Sequence, residues 1–459
     1  ICKLWNFSII SVLALTISNV LLTIRLLHKN DCIDTDHRLI SKENLRFQYS
    51  SSSEDRSKNI IPESMSLPFF EDVADQRNRS QAHRLVLDDL DLMSGRWDAG
   101  RQYKFFDFAA VGNQFNKLTE KYKVCLSTQS SVERLYSLPS VAENWSGPIS
   151  LAVFVAGDDE LYLLQLYLSY LRNCFPNIRD AVNIHLAYPK NRAPSIIRKY
   201  LKSDYENFIC DQPEHTLKKL MKFRTTETVK WRVRNAYPQN HLRNLARKGC
   251  QGDFVFLTDI DIIPSANFTE HLDAFLRKSQ CPNESKCAYV VPTYEIDYRA
   301  KFPQNKADLI RLSKRGLARP FHHKVFIYNQ FATNFSRWES DMGSANADTI
   351  ISHNVTNFEF LYEPFYVSSD SAPPHDERFV GYGFTRNTQV YEMFVAGYHF
   401  QVLTPIFTCH WGLQNKKSRP AWRERQNNIN RKQFEVFKKE IYARYHSDPL
   451  KMLQSQKKL

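Results

Sequence analysis

The chain runs to 459 residues, 42% hydrophobic and 13% aromatic, so it can bury a large core and has the length for about two domains. Its formal net charge of +13 raises nucleic acid as a ligand, yet the excess is dispersed, with local concentrations at Lys218 to Arg234 and Lys416 to Lys457, and no nucleic-acid module is recognisable. With nucleic acid set aside, other anionic partners and membrane surfaces remain, and most of these cations are expected on a solvated face.

Taken in chain order, Leu4 to Ile24 contains 21 residues without a charge, long enough to cross a bilayer as a helix. Asn6, Ser8, Ser11, Thr16, Ser18 and Asn19 weaken the span, and no clean small-x-small cleavage site follows, so an uncleaved anchor is preferred to a signal peptide. Flanking charge does not set the orientation, with Lys3 on one side and Arg25, His28 and Lys29 on the other. Sequons do better: Asn78, Asn144, Asn267, Asn283, Asn334 and Asn354 all follow the apolar segment. Of nine cysteines, Cys2 lies at the membrane, and Cys32, Cys125, Cys174, Cys210, Cys250, Cys281, Cys287 and Cys409 could pair in an oxidising compartment. Cys281 and Cys287 could close a small loop, although spacing does not give connectivity. The expected layout is a short cytoplasmic end at 1–3 that continues before Ile1, an anchor at 4–24, a polar lumenal stem at 25–90 and a folded domain at 91–459.

Within that domain, Ile149 to Ala156 reads as a buried strand, Gly157-Asp158-Asp159 as a turn, and Glu160 to Asn173 as an amphipathic helix. Val182 to Ala187 is a second strand, and Asn240 to Lys248 a helix closed by Gly249. The run Phe254 to Ile263 has no polar alternation before its acids, which predicts a strand buried on both faces and stopped by Pro264. Strand, helix, strand in this order predicts an α/β fold with a mostly parallel, doubly wound central sheet flanked by helices. No G-x-G-x-x-G or G-x-x-x-x-G-K-S/T occurs, which argues against a Rossmann dehydrogenase or a P-loop NTPase.

Asp259 and Asp261, two apart at the end of that strand, would share a face at the carboxyl edge, where open α/β sheets bind ligands. Two hard oxygen donors suit a divalent cation, and a cation there suits a diphosphate. Spacing leaves open the plainer reading that both acids end a strand and cap the next helix.

Thr258-Asp259-Ile260-Asp261 after a buried strand resembles the D-x-D motif of GT-A glycosyltransferases. The wider text is more specific: YPQNHLRNLARKGCQGDFVFLTDIDIIPS, ARPFHHKVFIYNQFATNFSRW, HDERFVGYGFTRNTQVYEMFVAGYHFQVL and CHWG. Across roughly residues 95 to 445 these resemble the beta-1,4-glucuronyltransferase and LARGE-type glucuronyltransferase family, which acts on O-mannosyl glycans (matriglycan) of dystroglycan. The resemblance implies a GT-A fold at 91–459 and a single-pass type II Golgi membrane protein with its catalytic domain in the lumen. The implied reaction moves glucuronic acid from UDP-glucuronate, with inversion, to a xylose-ended glycan on a glycoprotein. Association with other glycosyltransferases belongs to the same picture. The alternatives left standing are another Mn²⁺-dependent UDP-sugar transferase, such as a xylosyl- or N-acetylglucosaminyltransferase, and a catalytically silent glycan-binding relative.

Residue by residue, the resemblance implies Mn²⁺ held by Asp259, Asp261 and His410, the last placed after an apolar strand, Phe400 to Phe407, and before Gly412. Arg243, Asn244 and Arg247 lie on the helix before the acids in a region that holds the nucleotide in related enzymes, with a structural ion pair as the competing reading. Lys416, Lys417, Arg419 and Arg423 could close over the diphosphate, solvated surface being the default. Arg319, His322, His323 and Arg337 are unranked partners for the donor's carboxylate. Inversion needs a general base, for which Asp376 and Glu377, before Gly381-Tyr382-Gly383, are the candidates, with Glu392 a further one. The residues after that turn, Phe384-Thr385-Arg386-Asn387, depart from the acids that many inverting GT-A enzymes carry there.

Overall fold

The computed structural model describes residues 86–195, 209–279, 281, 286–341, 348–415 and 420–453. The predicted anchor and almost all of the stem lie outside these residues, as do Lys416, Lys417 and Arg419. The strands, in chain order, are β1 (Arg96–Trp97), β2 (Tyr103–Ala110), β3 (Val124–Ser131), β4 (Ile149–Phe154), β5 (Val182–Pro189), β6 (Phe254–Leu257), β7 (Ile262–Pro264), β8 (Lys286–Val291), β9 (Thr293–Ile296), β10 (Ala318–Pro320), β11 (Ile350–Asn354), β12 (Phe365–Ser369), β13 (Tyr398–Thr404) and β14 (Thr408–Trp411). The helices around them include α1 (Gly157–Cys174), α2 (Gln239–Lys248), α3 (Arg386–Val395) and α4 (Ala421–Tyr445).

Among the described residues, ten strands form one sheet in the order β1-β2-β5-β4-β3-β6-β12-β8-β13-β11, and a second sheet runs β10-β9-β14-β7. The centre of the large sheet, β5-β4-β3-β6, is parallel as predicted. The sheet as a whole is mixed, which corrects the expectation of a mostly parallel one. After β8 the chain leaves for the second sheet, and β11 and β12 re-enter antiparallel to their neighbours. Alternation along the central strands divides the core between the faces. Val124, Leu126, Phe256, Phe365 and Val367 pack with Trp145 and Phe268 on one side. Cys125, Val255, Leu257 and Tyr366 pack with Tyr391, Phe434 and Phe437 on the other.

Three strands of the large sheet run on almost directly into strands of the small one: β6 into β7, β8 into β9, and β13 into β14. Two of these passages contain a proline, Pro292 and Pro405, which has no N–H to continue a ladder. The third is the acidic segment itself. Thr258 makes the last ladder-like contact, donating its N–H to the Ser127 carbonyl at 3.1 Å, and the chain then turns, with Ile262 N–H donating to the Asp259 carbonyl at 3.1 Å. The predicted single strand over 254–263 is thus broken in two, and the acids sit in the turn between sheets rather than on one strand face.

Among the described residues, disulfides join Cys125 to Cys250, Cys174 to Cys210 and Cys281 to Cys287. The expected small loop is closed, and β3 is tied to the residue after Gly249 at the end of α2. Cys409, expected to be free to pair, is instead a buried thiol on β14.

Candidate active site

The direction in which the sheet is wound places the crevice. Strands β4 and β5 lie to one side of β3 and β6 to the other, which makes the carboxyl ends of β3 and β6 the switch point where open α/β sheets bind ligands. The sequence reading began its sheet at Ile149 and missed β3, whose run VCLSTQSS is too polar to stand out although it is almost entirely buried. At its end Gln129 accepts a hydrogen bond from the Tyr237 hydroxyl, and Arg134 follows in the next turn.

Asp259 is not free to act as a bare metal ligand in this geometry. Its Oδ1 lies 2.6 Å from an Arg386 nitrogen and 3.5 Å from one of Arg243. Burial works to raise this carboxyl, but Arg386 and Arg243 outweigh it and hold the group below its ordinary value. Arg243 is itself pushed down by burial and by its neighbour Arg386, and its Nε has no partner.

Asp261 faces the opposite wall. The register of the small sheet sets His410 on β14 against Ile262 on β7, and so beside the preceding acid. His410 Nε2 is 3.7 Å from Asp261 Oδ2, and the half-exposed Arg134 donates to the same oxygen at 3.0 Å. Behind His410, Phe321 stacks on His322, which takes a left-handed backbone with φ +58. Burial drives the His322 imidazole down to about 4, and the neighbouring His410 adds to this. His322 is therefore neutral at pH 7.

Two of the three expected metal ligands thus converge and the third is turned to arginines; among the described residues no three His, Cys, Asp or Glu side chains are placed to hold a metal together. A carboxylate and an imidazole 3.7 Å apart would hold a divalent cation only with further ligands from outside the protein. The donor set therefore fits a shared metal–diphosphate site better than a metal cage made by protein alone.

The other predicted residues separate. Arg243 points into the crevice. Asn244, on the same helix, instead holds a loop, donating to the His375 carbonyl at 2.8 Å and to Glu377 Oε1 at 3.0 Å. Arg247 holds the same loop further along, through Asp370 Oδ1 at 2.8 Å and the Ala372 and Pro373 carbonyls at 2.6 and 3.0 Å. Asp376 is gripped by Arg378, which also pairs with Glu440 on α4. Glu377 lies 3.7 Å from His241. Glu392 pairs with Arg444. Among the partners considered for a sugar carboxylate, Arg319 is committed to the fully buried Glu295 at 2.9 Å, and His323 and Arg337 line a separate cavity of about 310 Å³.

A larger cavity, about 460 Å³, is lined by His322, Asn329, Glu363, Tyr382 and Phe384 and by Arg431 of α4. Neither Asp376 nor Glu377 lines it. Arg134, Arg386 and Glu363 were missed in the sequence. Arg386 alone had left a signal, as the cation standing where acids were expected after the glycine turn.

The family model described as "Glycosyl-transferase for dystroglycan" matches residues 123–446. Beta-1,4-glucuronyltransferase 1 of Homo sapiens is 31% identical over 327 residues, 71% of this chain and 77% of the relative. The Danio rerio protein of that name is 29% identical over 335 residues, 72% and 75% of the two chains. Xylosyl- and glucuronyltransferase LARGE2 of Mus musculus is 26% identical over 342 residues, 73% of this chain but 41% of that one. Among solved structures, S. aureus TarS 1–349 in complex with UDP-GlcNAc overlays with a TM-score of 0.33 at 11% identity, over 70% of this chain and 71% of that one, too distant to bear on the site.

Proposed function

The chain belongs to the dystroglycan glycosyltransferase family, and from that premise we propose that it is an inverting glucuronyltransferase, moving glucuronic acid from UDP-glucuronate to a xylose-ended glycan on a glycoprotein. It is a glycosyltransferase by family; the glucuronyl group is read from the names of its relatives, and the UDP donor and xylose-ended acceptor are proposed from the resemblance of its sequence. The observation that carries the reading is Asp261 and His410 side by side at the edge of the small sheet, with Arg134, Arg243 and Arg386 gathered at the carboxyl ends of β3 and β6.

Asp261 and His410 would hold Mn²⁺, which, when bound, supplies positive charge to the departing diphosphate. Arg134 is exposed enough to swing from Asp261 onto a phosphate oxygen, exchanging one charge-assisted hydrogen bond for another. Arg386 and Arg243 keep Asp259 ionised and fix its carboxylate at the crevice floor, from which it can accept hydrogen bonds from the donor. Lys416 and Arg419 are proposed to close over the diphosphate from the segment before α4. Transfer with inversion requires the acceptor hydroxyl to approach from the face opposite the diphosphate, and the 460 Å³ cavity walled by His322 and Glu363 is proposed to receive the acceptor.

The setting follows the same reading: a Golgi membrane enzyme, single-pass type II, anchored by 4–24 with a stem at 25–90 and the catalytic domain at 91–459 in the lumen. Supporting it are the sequons and the disulfides, which belong to oxidising compartments. No helix among the described residues is long and apolar enough to cross a membrane.

The test is a donor panel. The full chain, incubated with Mn²⁺, a β-xyloside and each of several UDP-sugars, is expected to form a glucuronylated product with UDP-glucuronate alone. Turnover with a different sugar would move the assignment to another UDP-sugar transferase, and glycan binding without turnover would overturn the enzymatic reading.

A further inference from the structure

Direct displacement needs a carboxylate in the acceptor cavity, and those picked from the sequence are engaged elsewhere. Asp376 is bound by Arg378, and Glu377 by Asn244 beside His241. We infer that Glu363, on the wall of the 460 Å³ cavity, is the general base that accepts the proton of the acceptor hydroxyl. This rests on the glucuronyl-transfer reading and gives it a missing component.

Three observations support the assignment. First, position: Glu363 Oε2 accepts from the Asn329 amide at 2.9 Å, and the same amide nitrogen lies 3.3 Å from His322 Nδ1. His322 stacks on Phe321 at 3.9 Å, and the Phe321 ring lies 5.6 Å from that of His410, so packed side chains lead from one proposed metal ligand to the cavity. Second, rigidity: the Glu363 N–H donates to the Asn329 carbonyl at 2.8 Å, and its own carbonyl accepts from the Gln330 amide at 2.8 Å, which pins the backbone on both sides. Third, availability: among the described residues no lysine or arginine forms an ion pair with Glu363, whereas the other carboxylate on the cavity wall, Glu435, pairs with Lys438 at 2.8 Å.

The surroundings also suit proton transfer. Burial raises the Glu363 carboxyl above its ordinary value, and the nearby guanidiniums of Arg386 on α3 and Arg243 on α2 only partly offset this, while Asp259 adds to it. The neutral His322 flanks it, and Arg431 and Glu435 face it across the cavity from α4. A carboxylate raised toward the working pH is a better base than an ordinary one.

In the step, the acceptor oxygen bonds to the anomeric carbon as the bond from that carbon to the β-phosphate oxygen breaks. The bonding pair leaves with UDP, and the hydroxyl proton goes to Glu363, so charge and atoms balance without any further reactant.

The experiment compares the full-length wild type with Glu363→Gln, Glu363→Asp, Asp376→Asn and Glu377→Gln, measuring kcat over pH and, separately, UDP affinity in the presence of Mn²⁺. Glu363→Gln is expected to lower kcat by about 100-fold or more, within the range general bases contribute. It should keep UDP affinity within about threefold, a difference of under about 1 kcal/mol, and remove the acidic limb of the pH profile. Glu363→Asp should recover part of the rate. A loss of kcat under about tenfold, or a parallel loss of UDP affinity that marks a scaffolding role, would overturn the assignment. So would the same signature appearing in Glu377→Gln or Asp376→Asn instead. A wild type that transfers no glucuronate would overturn the functional reading, and the base assignment with it.

Discussion

Replacing Arg386 by methionine tests whether Asp259 is held by arginines, as the crevice geometry requires. Arg386 is buried to 8% exposure, its nitrogen is 2.6 Å from Asp259 Oδ1, and its guanidinium lies 4.2 Å from the centre of the Phe365 ring. Two unit charges about 4 Å apart attract by about 4 kcal/mol at an effective dielectric near 20. Arg243, 3.5 Å from the same oxygen, retains part of that field in the variant, and its repulsion from Arg386 disappears. The expected net cost is therefore about 2–3 kcal/mol, short of the ~3–5 kcal/mol for breaking a fully buried pair. Because the folded carboxyl lies below its unfolded value, the pair contributes fully above the ordinary aspartate range and is lost as pH falls through the folded value. Urea unfolding followed by tryptophan fluorescence should show the full gap between wild type and Arg386→Met at pH 7, shrinking below about pH 5. A gap under about 0.5 kcal/mol at pH 7, the level of an exposed pair, would refute the reasoning. So would a gap that stays constant into acid.

Removing the Cys125–Cys250 bridge by a double serine substitution frees a crosslink with a sequence separation of 125; thermal unfolding should report a loss of about 3–5 kcal/mol. Glu160, fully buried between Arg224 at 3.0 Å and Arg232, is the charge that keeps two guanidiniums tolerable beside α1. Glu160→Gln should cost about 3–5 kcal/mol in the same assay, and a cost under about 1 kcal/mol would mean that the cluster is solvated. Arg134→Ala removes a 56% exposed side chain. It should leave the melting temperature unchanged while raising the donor KM about tenfold or more, as loss of one charged hydrogen bond to phosphate would; steady-state kinetics separates this from a folding effect.

The parts of the fold legible in the sequence were those with one dominant signal. The run ISLAVFVA is apolar but for Ser150 and became β4, while α1 and α2 began and ended within a few residues of expectation. Strand β3 escaped because serine, threonine and glutamine fill more than half of it, and only its place between β4 and β6 makes it a central strand. The acids were found, but their relation to each other was not. Period-two reasoning put both on one strand face, whereas the turn after Thr258 sends Asp259 to Arg386 and Asp261 to His410. Spacing along the chain carries no information about the register of β14 on β7, which sets that second pairing. Glu363 was invisible for a related reason. Nothing distinguishes one glutamate before a proline until Asn329 and the cavity are brought to it by long-range packing.

The most direct test of the site is the affinity of the full chain for UDP, measured by calorimetry with Mn²⁺ and with EDTA, in wild type, Asp261→Asn and His410→Gln. If Asp261 and His410 share the metal that meets the diphosphate, Mn²⁺ should strengthen UDP binding in the wild type and that gain should vanish in both variants. Metal-dependent binding that survives Asp261→Asn unchanged would contradict the account.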